Sequence, residues 1–370
     1  MPGRLRLATD DRSARAESLP NTRLTEVVEL NSEAYLEKIQ RFNSLFVPER
    51  RLSDLQFLRW KYRLEKPGGG EITRHYGILD ERGEIAGQIS AQPMEVWIGD
   101  KWHQCQYWGD WYRDPAHKGL GLKLLRYVLK QKPLLLATGA SGLAYSIYGR
   151  MKFVLLPIDQ RFVLNCRPLA IILHSLSSPR RGAREFSAWL KKPFARVKRP
   201  SLAPGYELCQ QKSIDSDLLA GWECSTTRNT VFVRREGWVF SWFLDRFPFS
   251  EFRLVVLISG GQQTGYVLLH TRKKENGLVE GKIVDLFARG WNWDHLVTLF
   301  REGTHRLYES GVHIIRYHAT HPTFVALAEA NGFRRVGIQS IIAYGPLTEA
   351  LSNRGMSLHM TYYDHDEAYY

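Results

Sequence analysis

Two glycines, Gly119 and Gly121, stand where an aromatic stretch ends and an amphipathic one begins. The segment from Arg113 to Lys130, RDPAHKGLGLKLLRYVLK, puts Pro115 before them and His117 and Lys118 beside them. At the start of a helix, successive backbone N–H groups point at one spot, and missing Cβ atoms let an anion come close. The turn from Ala116 to Leu122 therefore has the chemistry to cradle a pyrophosphate. Charges near a helix end gain about 0.3–1 kcal/mol each, and convergent charge-assisted bonds add to that. The competing reading is a glycine-softened helix start that binds nothing.

The 370 residues suffice for two cores of ordinary size, and composition falls in the range of soluble globular proteins. No apolar run approaches the roughly 18 residues that read as a membrane span. Cys105, Cys166, Cys209 and Cys224 form no CxxC pair, which predicts reduced thiols and a cytoplasmic protein. A formal charge of +13 points to polyanionic partners: a phosphorylated cosubstrate, nucleic acid or an anionic membrane surface. Residues 1–24 are polar and Arg-rich without an apolar signal core, and read as a disordered tail. Ser177 to Pro200 carries eight Lys/Arg against one Glu, within a basic linker placed at 167–205. Phe186, Trp189, Leu190 and Phe194 among those bases suit an interfacial helix on anionic lipid at the inner membrane face. A solvated connector is the plainer reading.

Periodicity gives the order β-α-β-β-β-α-β-α-β-β for the first half, with hairpin turns at ERGE and IGDK. Much of that order recurs. FLRWKYRLEKP, from Phe57, is echoed by VFSWFLDRFP, from Val239, and Asp285 stands in its strand where Asp110 stands in the first. Repetition of a whole unit outweighs any single motif. The expected domains are 25–166 and 206–346, followed by a C-terminal tail at 347–370.

The strand–turn–helix at Trp111 to Lys130, followed by the helix at Leu143 to Phe153, resembles the GNAT superfamily of N-acetyltransferases. The resemblance covers roughly Thr25 to Cys166. It implies an α/β (α+β) fold of two tandem GNAT-like domains, each a mixed, mostly antiparallel sheet flanked by helices. Some bacterial tandem members serve cell-surface polysaccharide pathways. The family's phosphate loop runs Arg or Gln, two residues, Gly, any residue, then Gly or Ala. Here the positions are Ala116, His117, Lys118, Gly119, Leu120 and Gly121, so the long polar side chain is missing at Ala116.

The resemblance implies acyl transfer from acetyl-CoA to a primary amine, such as an amino sugar. Acyl-CoA contacts are expected from Tyr112, Arg113, His117, Lys118, Gly119, Leu120, Gly121 and Leu122. A backbone N–H near Tyr112 or Arg113 would polarise the thioester. Tyr148, five residues before Phe153, takes the place of the tyrosine that serves the leaving thiolate, although Lys152 stands where the family has glycine. Asp110 is the candidate base or amine anchor, with Glu95 and His103 behind it. Deprotonating a lysine-like amine at neutral pH costs roughly 4–5 kcal/mol, so such a group has work to do. The second half has Ala328 where Tyr148 stands and two tryptophans in place of the turn, which marks it as degenerate.

Two other readings remain: a transferase of similar fold using aminoacyl-tRNA, and a tandem scaffold that binds without turnover. His313, His318 and His321 lack a nearby carboxylate or cysteine in sequence, so no metal is expected.

Overall fold

The computed structural model describes residues 26–47, 50–62, 73–99, 101–131, 134–139, 142–167, 169–171, 197, 199–225, 229–249, 252–274, 276–353 and 356–364. The Arg-rich residues 1–24 and nearly all of the basic linker's charged stretch lie outside them.

The first half contains β1 (Val28–Glu29), α1 (Glu33–Phe46), α2 (Leu55–Lys61), β2 (Arg74–Leu79), β3 (Ile85–Ile98) and β4 (Lys101–Arg113). It continues with α3 (Leu120–Gln131), β5 (Leu135–Thr138), α4 (Gly142–Arg150) and β6 (Val154–Asn165). The second begins with β7 (Tyr206–Gln211), α5 (Ser216–Ser225), β8 (Thr230–Val233), α6 (Gly237–Asp245), β9 (Phe252–Ser259) and β10 (Gln262–Lys273). It ends with β11 (Val279–Ala288), α7 (Trp293–Glu309), β12 (Ile314–Ala319), α8 (Pro322–Ala330), β13 (Arg334–Tyr344), α9 (Pro346–Asn353) and β14 (Ser357–His359).

Helical spacing of Leu120, Leu124, Leu125 and Val128 buries one face of α3 against the sheet, and Leu296, Leu299, Phe300 and Leu307 do the same for α7. Each such leucine contributes about 1.5–3 kcal/mol of burial. In the first half, α3 and α4 pack with Tyr76, Ile78 and Trp108, while α1 and α2 pack with Leu30 and Ile85. The two helical layers therefore cover opposite faces of β2 to β4.

Two separable sheets were expected, and one is found. Its strands run β1-β2-β3-β4-β5-β13-β6-β12-β11-β10-β9-β7, with β8 joining β3 and β14. Most neighbours are antiparallel, but β4 with β5, β11 with β12 and β8 with β14 are parallel. β6 pairs with β12 and β13, and β13 pairs with β5, so hydrogen bonds span the expected boundary. Thr138 pairs with Ile341 in the same register as His318 pairs with Arg161. Leu134 to Phe153 matches Ile314 to Phe333 in length, so the repeat extends to strand register.

The expected C-terminal tail is also structural as far as Asp364. Leu347, Leu351, Met356, Leu358 and Met360 share a core with Val96, Tyr107 and Val231. On the same segment Tyr362, Tyr363 and Asp364 are buried. Among the described residues, no helix is long and apolar enough to cross a membrane.

Glu280 of β11 is buried against Arg316 and against Lys274, whose Nζ lies 2.9 Å away. Burial alone would raise its carboxyl, but Arg316, Lys282 and Lys274 outweigh this and hold it down to about 2. A pKa depressed by folding stabilises above the unfolded value and loses that contribution as pH falls through the folded one. Urea midpoints should therefore fall more steeply between pH 5 and pH 2.5 in wild type than in Glu280→Gln. Parallel profiles would contradict this pairing.

Candidate functional site

The site is built where β4 stops pairing with β5. Only Gln106 with Leu135 and Tyr107 with Leu136 are joined, after which β4 is paired on its β3 side alone. Just beyond, the Tyr107 hydroxyl and Thr138 Oγ1 lie 2.9 Å apart. In β4, the residues facing β3 change register between Gly109, opposite Ser90, and Tyr112, opposite Gln88. One residue too many stands opposite Ile89, which is a β-bulge. Asp110 takes it up with φ of 49°, a left-handed conformation that non-glycine residues adopt at a cost of about 1–2 kcal/mol.

The bulge sends neighbouring side chains to opposite faces. Asp110 turns toward α2, where Lys61 Nζ lies 2.7 Å from Oδ1 and the Tyr62 hydroxyl donates to Oδ2 at 3.1 Å. Both charged side chains are buried, at 4% exposure for Lys61 and 2% for Asp110. Burial alone would raise the Asp110 carboxyl, but the Lys61 ammonium, with hydrogen bonds from Lys61 and Ser90, holds it below the usual carboxylate range. His75 stacks on Tyr62 at 4.1 Å, and burial pushes its imidazole down to about 3. Asp110 is therefore a locked anion. Its charge is matched inside the protein by Lys61.

Trp111 turns the other way, toward α3 and α4. Its Nε1–H donates to the carbonyl of Gly121 at 3.0 Å. A Cβ on Gly121 would meet that nitrogen at 3.2 Å, so glycine is what lets the indole reach the helix. Tyr148 lies on this face too, in an aromatic cluster. Its ring centroid is 5.5 Å from Trp108, 5.8 Å from Trp111 and 5.2 Å from Phe153. The phenol is 4% exposed and makes no hydrogen bond among the described residues. Burial, with Tyr145 nearby, pushes its pKa far above the ordinary value. Tyr148 and Asp110 thus flank one strand from opposite faces and do not meet.

The turn itself is held by Asp114. Its Oδ1 accepts from the Ala116 N–H at 2.8 Å, its carbonyl from the His117 N–H at 3.0 Å, and its Oδ2 lies 3.2 Å from His117 Nδ1. Gly119 follows with φ of 84° and open space where a Cβ would be. Its carbonyl accepts the first helical bond, from Lys123, at 3.2 Å. Among the described residues nothing accepts from the N–H groups of Leu120, Gly121 and Leu122, and the first turn of α3 carries no acid. His117, Lys118, Gly119, Leu120, Gly121 and Leu122 thus form an open helix N-terminus. Arg113 spends Nη1 on the carbonyls of Asp114 and Pro115, and Tyr112 packs against the α1 and α2 layer.

The corresponding place in the second half is closed. Asp285 also sits at a register shift, between Leu268 and Leu269 of the facing strand. It is gripped by Arg235 at 2.9 and 3.0 Å, by the Tyr266 hydroxyl at 2.7 Å and by Thr361 Oγ1 at 2.8 Å. Arg235 also bonds Asp364, and all three charged side chains are fully buried. The segment from Leu358 to Asp364 bridges β12 to this bulge, since Met360 N–H donates to Thr320 Oγ1 at 2.8 Å. The α7 N-terminus is capped by Asn292, which accepts from His295 N–H at 3.0 Å, and Asp294 lies in its first turn.

The remaining sequence candidates serve elsewhere. Glu95 pairs with Arg234 and accepts from Gln104, while His103 faces Val96 across the hairpin. His313 accepts from Val279 N–H, His318 pairs with Asp159, and His321 caps α8. Sequence reasoning missed Lys61, unremarked within the FLRWKYRLEKP stretch, and Arg235; both meet their partners far along the chain.

Solved structures of similar architecture define the class of fold. A probable N-acyltransferase from Enterococcus faecalis V583 matches over 86% of this chain and 71% of its own, at 13% identity and a TM-score of 0.52. A GCN5-related N-acetyltransferase from Anabaena variabilis matches over 86% and 72%, at 10% identity and a TM-score of 0.55. Saccharomyces cerevisiae N-myristoyltransferase with bound myristoyl-CoA matches over 89% and 81%, at 10% identity and a TM-score of 0.56. At these identities the likeness is one of fold, and the fold is that of the GNAT enzymes. No family model and no curated protein matches the sequence.

Proposed function

We propose that the protein is an acyl-CoA-dependent N-acyltransferase built from two GNAT-like halves, the second of which no longer binds a cosubstrate. The observation that carries this reading is the uncapped N-terminus of α3, set behind a left-handed Gly119 at the point where β4 and β5 part. The residues fit a pyrophosphate: three convergent N–H groups, no acid in the helical turn, and Lys118 beside it. Bound acyl-CoA, acetyl-CoA in the simplest case, would supply an activated thioester. The acceptor is a primary amine, such as an amino sugar of a cell-surface precursor, met in the cytoplasm.

Within this reading Tyr148 keeps its proton at neutral pH, because burial disfavours the phenolate. A phenol held that high is a weak acid, so its part in this reading is to steady the departing thiolate with an O–H hydrogen bond. Asp110 serves as the anchor of the bulge. The test is thiol release from acetyl-CoA with a panel of amines, run on wild type and Tyr148→Phe. The variant should lose about 10²-fold in kcat while acyl-CoA affinity stays within about twofold. Equal kcat would remove Tyr148 from the chemistry.

A scaffold that binds acyl-CoA without turnover is favoured by one feature, the neutralised Asp110. Binding with no thiol release from any amine would support it. The charge of +13 suits the aminoacyl-tRNA alternative and an anionic membrane contact, and both predict binding that weakens steeply with salt.

A further inference from the structure

We propose that the second half of the chain sets the geometry of the first half's site through two adjacent residues at the end of α2, Trp60 and Lys61. The proposal rests on the reading of the α3 N-terminus as the acyl-CoA site. Trp60 fastens α2 to α6: its ring stacks on Trp242 with centroids 6.1 Å apart and planes 11° apart. Its Nε1–H also donates to the Trp242 carbonyl at 3.2 Å. Lys61, the next residue, holds Asp110 at 2.7 Å.

The link continues along the backbone. Asp110 is the left-handed residue of the bulge, and the residue after it is Trp111. Because the bulge sends the two side chains to opposite faces, any shift of Asp110 turns Trp111. Trp111 in turn holds the carbonyl of Gly121 in the first turn of α3. The path from α6 to the open N–H groups thus runs Trp242, Trp60, Lys61, Asp110, Trp111 and Gly121. Every step is a covalent neighbour, a hydrogen bond, an ion pair or a ring stack.

Among the described residues the second half has no such link. Its bulge residue Asp285 is held by Arg235, Thr361 and Tyr266. The tryptophan before α7, Trp291, makes no hydrogen bond through Nε1 among the described residues. Lys61 is accordingly a positioning residue. It touches the bulge rather than any reacting atom.

The test is the double variant Lys61→Met/Asp110→Asn, which removes both charges and leaves no lone buried ion. Wild type and variant are compared by unfolding midpoint, by hydrogen exchange over 117–123, and by calorimetric titration with acetyl-CoA. The expected result is a midpoint within a few degrees of wild type, faster exchange over 117–123, and affinity about tenfold weaker. A role confined to stability would move the midpoint instead. Unchanged exchange and affinity at an unchanged midpoint would overturn the proposal. Should the double variant fail to fold, Trp60→Phe, which deletes the indole N–H, must raise exchange over 117–123, and no rise there overturns it equally. If wild type binds no acetyl-CoA, the functional reading fails while the exchange comparison still decides the link.

Discussion

Gly119→Asp is expected to weaken acyl-CoA binding by at least about 100-fold, which is about 2.7 kcal/mol. Two effects add. An aspartate at φ of 84° is strained, and its carboxylate would stand among the N–H groups that await a phosphate. Gly119→Asn separates them, since asparagine has the same shape, tolerates the left-handed region and carries no charge. The asparagine variant should lose only about three- to tenfold, with the remainder of the aspartate effect screened by salt. A Cβ at this position meets nothing within 4 Å, so neither variant is expected to unfold the protein. Equal affinities for Asp and Asn variants, measured by calorimetry at low salt, would show that no anion sits at this helix end.

Arg235→Met is expected to be the most destabilising single substitution at the second bulge. It would leave Asp285 and Asp364 facing each other with no cation, both fully buried. Breaking a buried ion pair from one side costs about 3–5 kcal/mol, a large part of a typical total of about 5–15 kcal/mol. The pH dependence gives an independent check. Burial already pushes the Asp364 carboxyl up to about 6, against the pull of Arg235 and with Asp285 adding to the rise. A carboxyl raised by folding favours the native state at low pH, and that contribution disappears as pH rises through the folded value. Without Arg235 the Asp364 carboxyl should rise further. The variant's urea midpoint should therefore increase between pH 7 and pH 5. A midpoint like that of wild type at pH 7, or one that drops on acidification, would contradict the account of this cluster.

What could be read from the sequence was local. The glycines at 119 and 121, the spacing of Tyr148 and Phe153, and the paired positions of Asp110 and Asp285 each depend on residues close in the chain. All of them land at the ends of strands or helices that the structure contains. Strand exchange left no such trace. The pattern from Val154 to Asn165 shows that a strand exists, while its partners, β12 and β13, begin some 150 residues later. The ion pairs behaved likewise: Lys61 meets Asp110 across 49 residues and Arg235 meets Asp285 across 50. A lysine at the end of α2 looks like any helix-terminal base until the bulge is placed beside it. The segment 347–370, expected to be a tail, follows the last strand of the repeat, and nothing local to it names a partner. Leu358, Met360, Tyr362 and Tyr363 are nevertheless buried, the first two with Val96 and Val231 and the tyrosines with Phe240, all far back in the chain.

The central claim is that one acyl-CoA binds per chain, at the N-terminus of α3. The most direct measurement is a calorimetric titration of the purified full chain with acetyl-CoA, with tRNA titrated in parallel. The account predicts a single acetyl-CoA site per chain. An absence of acetyl-CoA binding, with tRNA bound instead, would contradict it and transfer the site to an aminoacyl donor. Two sites per chain would contradict the closed state of the second half.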